Sequence, residues 1–381
     1  MPVLVQLNCD IRIIKFIYLM LKRPLTSAAR GTAMSVYFLK ESDLTFFLGR
    51  LLASSPVIAP VAKKSKFVFA ELGSAAELRL DYDVTLLPPK TAFFPVKQKL
   101  LDFGPDGPKS AITPRKQVLF GVHFYDIKGI DMLDQLFAEG HRDNNYLANR
   151  EATTVVGSSI QKVSSRAFFS TVGTDVQPRG HDAFLTHVTA GYVFETRTPK
   201  GEALISFGSF EKATAAQIEE AAGVNAAVLK RCPEKLEHSS ELIAVKVRNA
   251  FANEELWTDL AKDCFSCGSC NIVCPTCYCF DVQDRWNLDQ VSGTRHRTWD
   301  ACLTNDFSKV SLGAGGSENF RERRGQRFRH RMMRKAAYLN EKLGGPACVG
   351  CGRCSAGCVP DIADPVRIIN RIVGGRHGSS V

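Results

Sequence analysis

A chain of 381 residues is long enough for two or three domains, and its 45% hydrophobic and 23% charged content excludes a mainly disordered protein. Its net charge of +10 is local, because residues 1–33 carry +4 and residues 321–335 carry +7, so the basicity by itself does not indicate a nucleic-acid-binding protein. The longest apolar run, residues 13–21, is too short to span a bilayer and contains Lys15.

Residues 1–34 are predicted to be an N-terminal extension. The segment is basic, contains the apolar run and ends at Met34. It is interpreted either as an upstream start or tag that precedes a natural start at Met34, the reading we prefer, or as a targeting segment.

Residues 35–250 are predicted to form one mixed α/β domain. Apolar residues recur at helical spacing in 41–53 and 130–139. Short runs of branched and aromatic residues favour strands at 37–39, 67–70, 118–122, 154–156 and 192–196.

A second domain is predicted over residues 251–375. Asn253 can cap a helix whose first turn carries Glu254 and Glu255. Helical signals outnumber strand signals beyond it. The predicted fold class is therefore α+β, with an N-terminal mixed α/β docking domain followed by a mainly helical domain.

The cysteines are unevenly placed. Of the thirteen, only Cys9 and Cys232 precede residue 264, and eleven lie between Cys264 and Cys358. A secreted protein stapled by disulfides spreads its cysteines over a small chain. Clustering within a large chain indicates metal ligation in a reducing compartment, and we expect a cytoplasmic protein.

Two runs, residues 264–274 and 348–358, share the spacing C-x2-C-x2-C-x3-C. This spacing wraps three thiolates around one 4Fe–4S cluster and delivers the fourth to the other cluster. We therefore predict two 4Fe–4S clusters in a dicluster ferredoxin-type domain. The predicted ligands are Cys264, Cys267, Cys270 and Cys358 for cluster 1, and Cys348, Cys351, Cys354 and Cys274 for cluster 2.

Residues that flank the runs suit this interpretation. Pro275 follows the first run, and Gly268 and Gly352 allow close approach of the backbone to a cluster. The second run differs, because Val359 precedes Pro360. Two zinc ribbons are the alternative, but zinc sites use well-separated cysteine pairs and fit two evenly spaced runs poorly.

Three further cysteines, Cys277, Cys279 and Cys302, lie outside the runs. A free cysteine is most often a small buried apolar residue, and we favour that reading. The alternative is that they are additional metal ligands.

Arginines alternate with apolar residues in 320–334. Such a stretch is compatible with a nucleic-acid-binding stripe, with a solvated helix face, with a docking surface for an acidic partner, or with guanidinium groups packed around anionic clusters. We expect no nucleic-acid partner.

Several motifs together resemble the beta subunit of cytoplasmic sulfhydrogenases and the A subunit of anaerobic sulfite reductases, both dicluster iron–sulfur proteins. The resemblance covers about residues 37–372. It is carried by the motifs at 88–90, 93–94, 121–129, 264–281, 297–302, 315–321 and 348–354.

In those relatives the subunit passes electrons between a flavin- and NAD(P)-binding subunit and a nickel–iron hydrogenase or a sulfite reductase. The resemblance implies an electron-transfer subunit here, most simply of the NAD(P)-linked hydrogenase type. The chain has no G-x-G-x-x-G fingerprint and no P-loop, so we expect no catalytic residues of its own.

The chain departs from the family pattern at four positions where many relatives have cysteine. They are Tyr125, Ser159, Ala167 and Phe169. Our hypothesis is that relatives hold an additional cluster with those cysteines and that this chain has lost it.

Overall fold

The computed structural model describes residues 35–173, 176 and 178–374, and all of these belong to one compact unit. The predicted N-terminal extension, residues 1–34, lies outside the described residues. No described helix is long and apolar enough to cross a membrane.

The described residues form fourteen strands and twelve α-helices. The strands are β1 (Ser35–Lys40), β2 (Val57–Lys63), β3 (Lys66–Glu71), β4 (Lys97–Phe103), β5 (Lys109–Ser110), β6 (Gln117–His123), β7 (Thr153–Ser158), β8 (Ala183–Val188), β9 (Gly191–Thr196), β10 (Glu211–Lys212), β11 (Phe280–Trp286), β12 (Gly293–Trp299), β13 (Lys309–Gly313) and β14 (Gly316–Asn319). The helices are α1 (Leu44–Ser54), α2 (Phe124–Ala138), α3 (Asn144–Ala152), α4 (Pro199–Ala203), α5 (Ala215–Lys230), α6 (Ser240–Asn249), α7 (Glu254–Leu260), α8 (Ser269–Ile272), α9 (Arg324–Met333), α10 (Asn340–Leu343), α11 (Arg353–Ala356) and α12 (Pro365–Val373).

An eight-stranded mixed sheet is the centre of the fold, in the order β10-β1-β9-β8-β7-β6-β2-β3. Its middle strands β2, β6, β7 and β8 run parallel. Parallel strands need both faces covered, and every residue of β6 is buried. Phe120 packs in a core with residues of α1, whereas Leu119 packs in a second core with residues of α2.

The five predicted strands are confirmed, and each extends by one or more residues beyond its predicted bounds. Of the predicted helices, 41–53 corresponds to a short 3-10 turn followed by α1, and 130–139 is the second half of the longer α2. Asn253 caps α7 as predicted, because its Oδ1 accepts from the N–H of Leu256 at 3.0 Å.

The prediction that the C-terminal region is mainly helical is not confirmed, because it contains β11, β12, β13 and β14. Strand β11 is almost wholly exposed, and Phe280, Val282 and Trp286 are its only apolar residues, so the strand signal in its sequence is weak. Its strand conformation comes from antiparallel pairing with β12. Strand β12 pairs in turn with β4, which lies about two hundred residues earlier in the chain.

Apolar cores also join the two predicted domains. Phe168 and Val172 belong to one core with Trp257 and Ile369, and Phe94 belongs to another with Trp299. The division of the chain near residue 250 stays a prediction about organisation, and these cores connect its two parts.

Candidate functional site

The first cysteine run leaves α7 as a tight loop and enters the single turn of α8. Gly268 begins that turn in the left-handed region, with φ of 75°. A Cβ there would lie 2.5 Å from the Cβ of Ala301, so glycine is required both by conformation and by space. The loop places Cys264, Cys267 and Cys270 around one pocket.

Cys358, from the end of the second run, lines this same pocket. Its other walls are apolar and include Leu303 and Phe328. The structure therefore brings together the four cysteines that the spacing predicts for cluster 1. We call this place pocket 1.

The second run repeats the local geometry of the first. Gly352 has φ of 78° and begins the single turn of α11. A Cβ on it would lie 2.3 Å from the carbonyl oxygen of Arg166, so this loop is pressed against the N-terminal part of the chain.

A second pocket, pocket 2, is lined by Cys274, Cys348 and Cys354. Cys351 is buried beside them and interacts electrostatically with Cys354 and Cys274. The structure thus places Cys274 of the first run among the cysteines of the second run, which is the predicted cluster 2 set.

Several thiols of these sets are poor acids by themselves, whereas hydrogen bonds lower the pKa of Cys267 and that of Cys274. Burial raises the pKa of Cys270 to about 12 and that of Cys348 to about 11. Such thiols become thiolates most readily by exchanging the proton for a metal, which is the coupling expected of structural metal ligands.

Buried cations surround the cysteines. Arg331 and Lys90 are each only 2% exposed, and Lys335 is also buried. The attractive charges that act most strongly on all three are cysteine sulfurs. A buried cation needs an anionic neighbour, and a cluster ligated by four thiolates is such a group. The residues present therefore fit 4Fe–4S clusters.

The contacts of these cations are specific. Arg331 donates to the sulfur of Cys354, and its buried Nε has no hydrogen-bond partner. Lys335 Nζ donates to Thr276 Oγ1 at 2.6 Å, and Thr276 Oγ1 lies 3.3 Å from the sulfur of Cys274.

Lys90 reaches the site from the N-terminal part of the chain. Its Nζ donates to the carbonyl oxygen of Cys274 at 2.9 Å and to that of Cys277, and it lies 4.2 Å from the ring centre of Trp299. Burial lowers the pKa of Lys90 to about 8. Sequence reasoning missed this residue as part of the site, although it lies in a motif that carried the family resemblance.

A buried ion pair fastens the second run to the first turn of α2. The guanidinium of Arg353, between Cys351 and Cys354, makes two hydrogen bonds of 2.6 Å to the carboxylate of Asp126. It also donates to the carbonyl oxygen and the hydroxyl of Thr85. Asp126 and Thr85 were not predicted as site residues, because nothing local in the sequence links them to a cysteine run more than two hundred residues away.

The basic stretch 321–335 points partly inward. Arg327, Arg331 and Lys335 are buried, and Arg327 donates to Ser266 in the first cysteine loop at 3.2 Å. Among the interpretations considered for this stretch, the geometry favours cations packed around the cysteines over a stripe that contacts nucleic acid.

The three additional cysteines lie close to the two runs but form separate contacts. The thiol of Cys277 donates to the sulfur of Cys274. The thiol of Cys302 donates to the sulfur of Cys279, which lowers the pKa of Cys279 and raises that of Cys302. Among the described residues, no group of three or more Cys, His, Asp or Glu side chains is arranged to hold a single metal ion.

The four positions at which the chain is expected to depart from the family pattern, Tyr125, Ser159, Ala167 and Phe169, are all buried. The rings of Tyr125 and Phe169 stack with 5.8 Å between their centres, and Phe124 packs edge-on against Phe169 at 5.2 Å. Aromatic side chains therefore occupy the space beside two of these positions.

The fold and the two pockets define an iron–sulfur protein, and comparison with known families agrees. Residues 263–362 match the family described as a 4Fe-4S dicluster domain. Over 334 residues the chain is 31% identical to sulfhydrogenase 2 subunit beta of Pyrococcus furiosus, an alignment that covers 86% of this chain and 96% of the relative. The chain belongs to the family of sulfhydrogenase beta subunits. Comparison with solved structures found no match.

Proposed function

We propose that this protein is the electron-transfer subunit of a multi-subunit hydrogenase. It would relay electrons between a flavin- and NAD(P)-binding subunit and a nickel–iron catalytic module. The observation that carries the proposal is the pairing of two four-cysteine sets, each completed by a cysteine from the other run, inside a shell of buried cations.

We assign Cys264, Cys267, Cys270 and Cys358 to one 4Fe–4S cluster, and Cys348, Cys351, Cys354 and Cys274 to the other. Each cluster, when bound, supplies one-electron chemistry. The chain itself holds the thiolates in place, excludes water with apolar walls and surrounds the sites with positive charge. Its thiol-rich site fits a reducing compartment, and we place the protein in the cytoplasm.

The two sites differ in access. Cys267 of pocket 1 is exposed, whereas Cys274, Cys351 and Cys354 are buried. Electrons would therefore enter or leave the chain most readily at pocket 1, and pocket 2 would be the internal site.

Iron content tests the number of clusters. We expect about eight iron atoms per chain after anaerobic purification, since each cubane holds about four. About twelve would show that a third cluster is present and would contradict our hypothesis that this chain, with Tyr125, Ser159, Ala167 and Phe169 in place of cysteines, has lost the additional cluster.

A substitution tests the ligand assignment. Cys351→Ala should remove one cluster, about half of the iron, because pocket 2 then lacks one thiolate. Cys232→Ser is the matched control, because Cys232 is also buried but lies outside both runs. Undiminished iron in the Cys351 variant would contradict the assignment.

Purification of the native complex tests the partners. Copurification with flavin-containing and nickel-containing subunits is the expected result. Copurification with a sirohaem protein instead would move the chain to a sulfite-reducing complex.

A further inference from the structure

Cys279 and Cys302 face each other at the end of a hairpin. Cys279 directly precedes β11, and its carbonyl oxygen accepts from the N–H of Asp300, directly after β12, at 3.0 Å. Cys302 follows two residues later, and the Asp300 carboxylate holds the intervening turn by accepting from the N–H of Ala301 at 2.6 Å. Strand register and turn together bring the two side chains to one place.

The two sulfur atoms are close neighbours. Both the thiol and the backbone N–H of Cys302 donate to the sulfur of Cys279. Asn271 Nδ2 donates to the sulfur of Cys302 at 3.0 Å. A disulfide requires the sulfurs to approach to about 2.05 Å, so oxidation would bring these two neighbouring sulfurs closer together.

Neither sulfur belongs to the two cluster pockets. Cys279 and Cys302 line neither pocket 1 nor pocket 2. Cys277 is engaged with Cys274 and leaves Cys279 and Cys302 as a pair. A zinc or iron site needs about four ligands, and two sulfurs do not supply them.

We propose that Cys279 and Cys302 form a redox-active dithiol that cycles with an intramolecular disulfide by exchange with small-molecule disulfides. Cys279 is partly exposed and receives two hydrogen bonds at sulfur, so it is the attacking group, whereas buried Cys302 is the resolving group. This couple carries two electrons and two protons, unlike the one-electron clusters beside it.

The exchange balances in two steps. The Cys279 thiolate attacks one sulfur of the small-molecule disulfide, forms a mixed disulfide and releases the other sulfur as a thiolate, which takes up the proton lost by Cys279. Cys302 then attacks the sulfur of Cys279, loses its proton and displaces the second small-molecule thiol. The two protein thiols are oxidised to one disulfide, and the small-molecule disulfide is reduced to two thiols.

The test uses the full chain with its iron bound, equilibrated anaerobically with mixtures of oxidised and reduced dithiothreitol. Samples are quenched with acid, alkylated under denaturing conditions and digested, and the Cys279 and Cys302 peptides are measured by mass spectrometry. A disulfide that links the two peptides should appear, and each tenfold increase in the oxidised-to-reduced reagent ratio should raise the disulfide-to-dithiol ratio tenfold. Cys232, which is buried and distant in sequence, should stay alkylated throughout.

Single variants separate this pair from metal ligands and from buried packing residues. With glutathione disulfide, Cys302→Ser should accumulate a mixed disulfide at Cys279, because no resolving thiol remains, and Cys279→Ser should accumulate none at Cys302. Both variants should keep the iron content of the parent chain. Loss of iron in either variant, or full alkylation of both thiols at every reagent ratio, would overturn the proposal.

Discussion

Four buried cations set the electrostatic environment of the cysteines. Lys90, Arg331, Lys335 and Arg353 come from three separate parts of the chain, and each is less than a tenth exposed. Reduction adds negative charge to a cluster, so nearby positive charge favours the reduced state. These residues should therefore raise the reduction potentials of the clusters.

Arg331→Met tests this effect, because methionine roughly preserves the side-chain length without the charge. Two unit charges about 8 Å apart interact by about 2 kcal/mol at an effective dielectric of about 20, which corresponds to on the order of 90 mV for a one-electron couple. We expect a reduction potential to fall by about that amount in a redox titration followed by electron paramagnetic resonance.

Two control variants complete the redox titration of Arg331→Met. Arg331→Lys keeps the charge and should stay near the parent potential. Arg323→Met removes a solvent-exposed arginine from the start of α9, where screening is strong, and should change little. Equal potentials in the Arg331→Met and Arg323→Met variants would show that the buried charge does not tune the clusters.

The buried ion pair of Arg353 with Asp126 should contribute to the stability of the fold. Asp126→Asn would leave the Arg353 charge buried without its carboxylate, and such a loss costs about 3–5 kcal/mol of unfolding free energy. Denaturant unfolding, carried out anaerobically, measures it. Glu71→Gln is the control, because its pair with Arg115 is exposed to solvent and should contribute little to stability.

The double variant Asp126→Asn with Arg353→Met separates the ion pair from general damage to the site. It removes both charges and should recover part of the lost stability. A double variant no more stable than Asp126→Asn would show that packing, and not the unpaired charge, is responsible.

At the scale of elements, both cysteine loops depend on a glycine in the left-handed region that begins a single helical turn. The two loops have nearly the same φ at this point, 75° at Gly268 and 78° at Gly352. The matching positions follow from the shared spacing of the runs, so the local conformation of each loop can be predicted from its own sequence. The contact of the second loop with Arg166 cannot be predicted in this way, because Arg166 is distant in the chain.

Gly352→Ala should reduce stability and iron content more than Gly313→Ala. Gly313 has φ of 81° with open space around it, so alanine there adds only the backbone strain, about 1–2 kcal/mol. At Gly352 the same strain is joined by a clash with the backbone of Arg166 at 2.3 Å. Thermal unfolding and iron assays of the two variants compare these effects, and equal losses would remove the clash from the explanation.

At the scale of the whole molecule, the cysteine region is built on the N-terminal part of the chain. Strand β4 pairs with β12, Lys90 and Asp126 contact the cysteine runs, and Phe168 packs in the same core as Cys264 and Cys354. The cluster sites and the large sheet should therefore fold as one cooperative unit.

Residues 251–374 produced alone should bind less iron than the full chain and should aggregate, because Arg353 and the β12 edge would lose their partners. Coexpression with residues 35–250 should restore iron binding. A fragment that holds the full iron content by itself would instead show that the predicted boundary near residue 250 separates two independent domains.

Much of the candidate site could be predicted from sequence because its ligands are local. Within each run the cysteines are three or four residues apart, and such spacing has few geometric solutions around a cubane. Five of the ten strands of residues 35–250 were also recognisable, since they are rich in branched and aromatic residues. The exposed β11 was not, because its apolar residues are few and its pairing with β12 makes it a strand.

The sequence by itself predicted a dicluster iron–sulfur domain, which the family match supports, and it predicted how the cysteines are grouped. Only the tertiary structure decided that Lys90, Arg331, Lys335 and Arg353 converge on the pockets, that Asp126 and Thr85 anchor the second loop, and that Cys279 meets Cys302. The physical reason is range: ligand spacing is a property of a few consecutive residues, whereas charge compensation and sulfur contacts depend on segments brought together by strand pairing and core packing.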